Sequence, residues 1–157
     1  MIVYLGVGSN IDAQQNIDAA KLAIAERYPG AQFSRTFESE AVGFKGDNFL
    51  NLVAEIETTL SLEILIDDIK VLEDNLGRVR GGEKFSSRTI DIDILLFDDR
   101  ICQAPIVLPR EEILENAYVL WPLSELRPGL KVPGSDQTYL QMWQGFNQSK
   151  QQIHPID

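Results

Sequence analysis

Arg88-Thr89-Ile90-Asp91-Ile92-Asp93-Ile94-Leu95-Leu96-Phe97 is the stretch around which the rest of the chain is arranged. Successive side chains on a strand point to opposite faces of the sheet. Asp91 and Asp93 therefore share one face, and Ile90, Ile92 and Ile94 share the other. Two carboxylates held side by side repel each other unless a cation sits between them. Oxygen-only ligands at this spacing suit Mg²⁺, and a pair of such ions is a known clamp for phosphoryl chemistry. The alternative is an edge strand with a solvated acidic face, and the D-x-D pattern alone leaves both readings open.

The segment leading into this strand, Arg78-Val-Arg80-Gly-Gly-Glu-Lys84-Phe-Ser-Ser-Arg88, gathers four cations in an otherwise acidic chain. The formal net charge is −10, which argues against non-specific attraction to nucleic acid or anionic membrane. A charge run is usually a solvated loop. Here it adjoins two aspartates, and the arginine fork binds phosphate oxygens bidentately. There is no G-x-x-x-x-G-K-[ST] loop. Gly6 and Gly8 fit a tight turn after a strand better than a dinucleotide fingerprint, whose third glycine would fall on Ile11. No serine, cysteine or histidine stands out as a covalent nucleophile, so direct in-line transfer is the natural class.

Outward from this centre, residues 2–8 read as a buried strand and 12–27 as a helix ended by Pro29-Gly30. Residues 31–38 read as a strand with Phe33 and Phe37 on one face. Residues 39–48 form a loop. Residues 49–58 form a strand with Leu50, Leu52, Ala54 and Ile56 toward the core, and Phe49 and Asn51 opposite. Ser61 caps a helix with the stripe Leu62, Leu65, Ile66, Ile69, Leu72 and Leu76, closed by Gly77. Pro105–Pro109 is expected as an edge strand, 111–116 as a helical turn and 117–126 as a helix broken or kinked at Pro122. A short helix over 137–144 precedes a frayed polar tail. His154 in that tail is neither ligand nor base.

The order β-α-β, β-α-β predicts an α+β fold. It is a ferredoxin-like βαββαβ antiparallel sheet with helices on one face and C-terminal additions. The open face would carry the aspartates and Phe49/Asn51. At 157 residues, 1–157 reads as a single domain. One cysteine, Cys102, permits no internal disulfide. The N-terminal residues lack a leader pattern and no apolar run is long enough to span a membrane. A reducing, cytoplasmic compartment fits.

These residues resemble the 6-hydroxymethyl-7,8-dihydropterin pyrophosphokinase family. The resemblance rests on Gly8-Ser9-Asn10, Phe49-Leu50-Asn51, Gly77-Arg78-Val79-Arg80, the 88–97 stretch and Leu120-Trp121-Pro122-Leu123. It implies transfer of diphosphate from ATP to the pterin hydroxymethyl group, with release of AMP. Asp91 and Asp93 would hold two Mg²⁺ ions, and Arg78 and Arg88 would stabilise charge at the β-phosphorus. Glu73, Arg80, Lys84, Ile94 and Arg110 would lie along ATP. Asn51 would read the pterin edge, with Phe49 and Tyr118 as aromatic walls and Ser39 and Val42 at the border. Segments 43–48 and 80–87 would close over the site. The partners implied are these two small molecules, with no nucleic acid, no membrane and a monomeric chain. Arg110 stands where the family usually has a histidine, and Asn116 where an arginine is common. Ser86 lies within the family's W-G-P-R segment. These departures leave two alternatives, a degenerate relative that binds without transfer and a different phosphohydrolase.

Overall fold

The computed structural model of the chain describes residues 1–40, 47–77, 90–149 and 151–157. The first strand, β1 (Ile2–Ser9), feeds helix α1 (Ala13–Arg27). Two short strands follow, β2 (Gln32–Phe33) and β3 (Phe37–Ser39), and then β4 (Phe49–Glu57). Helix α2 (Leu62–Asn75) leads toward β5 (Asp91–Phe97). Beyond lie α3 (Glu112–Glu115), α4 (Ala117–Leu126), α5 (Tyr139–Gln144) and a last strand, β6 (Ile153–Pro155). The sheet runs β5-β1-β4-β3-β6, with β2 also paired to β4, and every pairing is antiparallel.

Helices α1 and α2 pack on one face of the sheet. Ile17, Ala20 and Ile24 of α1 and Leu62, Leu65, Ile69 and Leu72 of α2 join Val3, Leu5, Val7, Leu52, Ile56, Ile92 and Ile94 in the first core. The i, i+3, i+4 spacing of these residues makes the apolar stripe that the sheet covers. Ser61 accepts a hydrogen bond from Ile64 N at 3.3 Å and starts α2, and Gly77 adopts a positive φ of 89° just past its end, where L side chains are strained.

The opposite face is not open. Ile113, Val119, Leu120, Leu123 and Tyr139 from α3, α4 and α5 form a second core there with Tyr4, Val53, Leu95 and Leu96. The sheet is thus a middle layer, and only part of that face is left for the aspartates. The expected break at Pro122 is absent, since α4 runs through it. Pro122 is buried, and its contacts offset the hydrogen bond it cannot donate.

Three further expectations are corrected. The strand over 31–38 is two pieces out of register by one residue: Phe33 pairs with Ala54, but Phe37 pairs with Asn51. A one-residue slip exchanges faces, so Phe33 packs against the first core while Phe37 meets Trp121 of α4. Ser34 absorbs the slip, its N–H bonding Val53 O at 2.8 Å and its hydroxyl accepting from Val53 N at 2.9 Å. Residues 105–109 form no strand, only a bridge between Cys102 and Leu108, because Pro105 and Pro109 have no N–H to give a ladder. The tail is not frayed, since β6 pairs with β3.

Candidate active site

The site is built on a row across three strands. Asn51 of β4 pairs with Gly8 of β1, and Gly8 pairs with Asp91 of β5. The next row places Val53, Gly6 and Asp93 side by side. At one strand spacing per step, Asn51 and Asp91 stand about 10 Å apart across the glycine. Gly8 is therefore not a turn residue. A Cβ there would lie 2.7 Å from Asn51 Oδ1, so the missing side chain makes room for the amide. Asn51 Nδ2 donates to Ser39 Oγ at 3.1 Å, and both residues are buried. Phe49 is half-buried two residues away on the same face.

The carboxylate end is electrostatically loaded. Burial pushes the Asp93 carboxyl up to about 7, and the Asp91 charge adds to it. Arg110 pulls the other way, while Glu112 and Glu73 raise it further. Burial first, then Glu112, Asp93 and Asp91, pushes the Tyr118 phenol up to about 12. Tyr118, the second residue of α4, thus sits with the aspartates and stays a protonated donor at neutral pH. Arg110 is fixed against the strand, its N–H donating to Leu95 O at 3.0 Å and its Nε to Ile94 O at 3.2 Å. Glu73 is buried and its Oε2 accepts from Ile92 N at 2.7 Å.

Two half-buried carboxylates on one strand face, the Asp93 charge only partly offset by Arg110, make an oxygen donor set that fits Mg²⁺. That ion is commonly held by one or two carboxylates, with waters and phosphates completing its shell. Among the described residues, no group of three or more His, Cys, Asp or Glu side chains is gathered as a metal site.

The structure brings together Asp91, Asp93, Asn51, Phe49, Ser39, Tyr118 and Arg110 around one end of the sheet. Glu73 lies at the outer edge of β5, bonded to the backbone between the aspartates. The Ile94 side chain points into the first core, so only its backbone is near Arg110. Val42, Arg78, Arg80, Lys84 and Arg88 lie outside the described residues, as do residues 43–46 of the segment 43–48 and all of 80–87. Sequence reasoning missed Glu112 and the role of Gly8. Glu112 follows Arg110 by two residues in a charged run, a pattern that reads as solvated surface. Gly8 would have been legible only with the register of β1 against β4.

A separate open groove of about 690 Å³ is lined by Phe33, Arg35, Trp121, Glu125 and Trp143 among others, and does not include the aspartates or Asn51.

The sequence pattern of the family described as 7,8-dihydro-6-hydroxymethylpterin-pyrophosphokinase matches residues 4–128. The 2-amino-4-hydroxy-6-hydroxymethyldihydropteridine pyrophosphokinase of Pseudomonas aeruginosa is 33% identical over 136 residues, covering 83% of each chain. The protein of the same name from Aquifex aeolicus is 34% identical over 134 residues, again 83% of each. A crystal structure titled as HPPK-DHPS in complex with substrates superposes with a TM-score of 0.70 at 12% identity, covering 94% of this chain. The Plasmodium falciparum HPPK-DHPS wild type gives 0.67 at 13% identity over 92% of this chain. This chain spans 44% of the length of each of those two, and at such identity they bear on the fold alone. By the extent of the family match and the identity to curated relatives, the chain belongs to the 7,8-dihydro-6-hydroxymethylpterin-pyrophosphokinase family.

Proposed function

We propose that this chain transfers diphosphate from ATP to the hydroxymethyl group of 6-hydroxymethyl-7,8-dihydropterin, a reaction of folate biosynthesis. The observation that carries the reading is the Asn51–Gly8–Asp91 row. It sets an amide that can read a flat heterocycle opposite a carboxylate that can hold a metal, across a strand with no side chain between them. The fold behind it is read as the ferredoxin-like βαββαβ core, supported by the strand order β5-β1-β4-β3, within a single domain over 1–157.

The pterin hydroxyl oxygen attacks the β-phosphorus of ATP. A P–O bond forms there, the α–β bridging bond breaks, AMP leaves, and the hydroxyl proton passes to solvent. Asn51, held by Ser39, hydrogen-bonds the pterin edge, while Phe49 and Tyr118 flank its rings. This fixes the hydroxymethyl group toward the aspartates and lowers the entropic cost of in-line attack. Asp91 and Asp93 would hold two Mg²⁺ ions, which when bound neutralise the triphosphate and polarise the transferring group. Arg110, braced on the Ile94 carbonyl, adds positive charge beside Asp93. By the resemblance, Arg78 and Arg88 supply the charge at the β-phosphorus, Arg80, Lys84 and Glu73 lie along ATP, and Val42 borders the pterin. We read the chain as a cytoplasmic monomer. A charge of −10 and the lack, among the described residues, of any helix long and apolar enough to cross a membrane support small-molecule partners only.

The test is the pterin dependence of AMP formation. With ATP and Mg²⁺ present, AMP should appear only when the hydroxymethyl-dihydropterin is added, one per pterin diphosphate. Nucleotide cleavage at the same rate without pterin, or pterin binding with no turnover, would overturn the reading.

A further inference from the structure

The C-terminal tail touches both elements that the reading above places around the pterin. Strand β6 pairs with β3 in the register Phe37–Pro155, Glu38–His154 and Ser39–Ile153. The pairing is extended by Ile156 N donating to Thr36 O at 3.0 Å and Thr36 N donating to Asp157 Oδ1 at 2.7 Å. This holds the strand whose Ser39 braces Asn51. Two residues before β6, Gln151 reaches the opposite wall. Its Oε1 accepts from Ala117 N at 2.6 Å, and its Nε2 donates to Asn116 Oδ1 at 2.9 Å.

Ala117 begins α4, and the Asn116 side chain makes no capping bond of its own. The first N–H groups of a helix have no partner within it. Gln151 supplies one from 34 residues away in sequence. The next residue in α4 is Tyr118, beside the aspartates. Residues 151–153 therefore tie the turn that presents Tyr118 to the strand that presents Ser39. The family match ends at residue 128, so the tail lies outside the matched residues, while its partners Ser39, Asn116 and Ala117 lie within them.

We propose that the C-terminal tail is a strap that sets the width of the pterin pocket, with Gln151 as a positioning residue. It rests on the pterin pyrophosphokinase reading above. Without the Gln151 amide the first turn of α4 loses its cap, Tyr118 shifts from its place, and the gap between Tyr118 and Asn51 is no longer held. The roles above put Ser39, Asn51 and Tyr118 on the pterin and none of them on ATP, so the effect is expected on the pterin.

Steady-state kinetics of the full chain, with Gln151→Ala and Gln151→Glu, test this below the melting temperature of the least stable variant. Gln151→Ala should raise the pterin KM about 3- to 10-fold, the range expected for one lost hydrogen bond, with kcat and the ATP KM within about 2-fold of wild type. Gln151→Glu should restore the pterin KM. Its carboxylate still accepts from Ala117 N at a helix N-terminus, and Asn116 can turn its amide to donate. An unmoved pterin KM in Gln151→Ala, an equal loss in kcat and both KM values, or a Gln151→Glu as poor as Gln151→Ala would overturn the strap. A wild-type chain that forms no pterin diphosphate contradicts the functional reading itself and the strap with it. An active wild type with an unmoved Gln151→Ala contradicts the strap alone.

Discussion

The Glu73 carboxylate accepts the backbone N–H of Ile92 at 2.7 Å, at the residue between Asp91 and Asp93. Among the described residues β5 is at the edge of the sheet, and its outward N–H needs a partner once buried. Glu73 supplies it from α2 and pins the pitch of the two aspartates. Replacing Glu73 with Leu leaves that N–H unsatisfied and should cost about 1–3 kcal/mol of unfolding free energy. Glu73→Gln keeps an acceptor and should cost less. Urea denaturation of the two variants checks the order; equal losses would detach Glu73 from Ile92.

Asp93 carries the clearest pH signature. Its folded-state pKa is raised from 3.8 to about 7, so between those values the folded state binds more protons than the unfolded one. Stability contributed by this group is present below about pH 4 and lost as pH rises through 7. Asp93→Asn removes the charge. In metal-free protein it should raise stability at pH 8 by on the order of 2–4 kcal/mol, the gain fading toward pH 4. The same change should lower diphosphate transfer by about 100-fold or more. Thermal unfolding in chelator at the two pH values, with an activity assay, checks both. A destabilised Asp93→Asn at pH 8 would show that the carboxylate is not held against its own charge.

Gly8 predicts a specificity effect. In Gly8→Ala the new Cβ would stand 2.7 Å from Asn51 Oδ1, well inside contact distance, and the amide must move. The pterin KM should rise about 10-fold, the loss of roughly one good hydrogen bond, with the ATP KM little changed. Kinetics with each substrate varied in turn would read this. A rise confined to ATP would place Asn51 elsewhere in the mechanism.

Asp68 gives the opposite pH sign. A hydrogen bond from Arg27, helped by one from Tyr28, outweighs the opposing effect of burial and holds its carboxyl below the usual range. Its contribution is present above the unfolded pKa and lost as pH falls through the folded one. Arg27 Nε donates at 2.8 Å, and the pair is partly exposed. Asp68→Asn should cost only about 1 kcal/mol at pH 7, shrinking at acid pH. Urea midpoints at neutral and acid pH measure it; a cost independent of pH would make the effect one of packing.

Much of this was legible because periodicity is a local property. The alternation of Asp91 and Asp93 with isoleucines, the stripe of α2, and Ser61 and Gly77 at its ends each depend on neighbours within a turn or two. What was not legible depends on pairing between distant segments. Phe33 and Phe37 are on opposite faces because of a one-residue slip against β4 that neither residue signals. Gly8 looks like a turn glycine until its partner is known to be Asn51. The polar tail looks frayed until Ile153 is seen against Ser39. At the site, the D-x-D strand and Asn51 were readable as chemistry. Glu112 was not, because its importance comes from the fold of α3 beside β5. The Ile94 side chain is in the core, as its alternation with Asp93 requires.

In the proposed reaction the site spanning Asn51 and the Asp91/Asp93 pair moves a diphosphate as one unit from ATP to the pterin. Phosphorus-31 NMR of the reaction with ATP, Mg²⁺ and the hydroxymethyl-dihydropterin reads that directly. An AMP resonance and two coupled phosphorus signals on the pterin product are expected, both absent with Asp91→Asn/Asp93→Asn. Appearance of ADP, or of free phosphate with no phosphorus on the pterin, would contradict it.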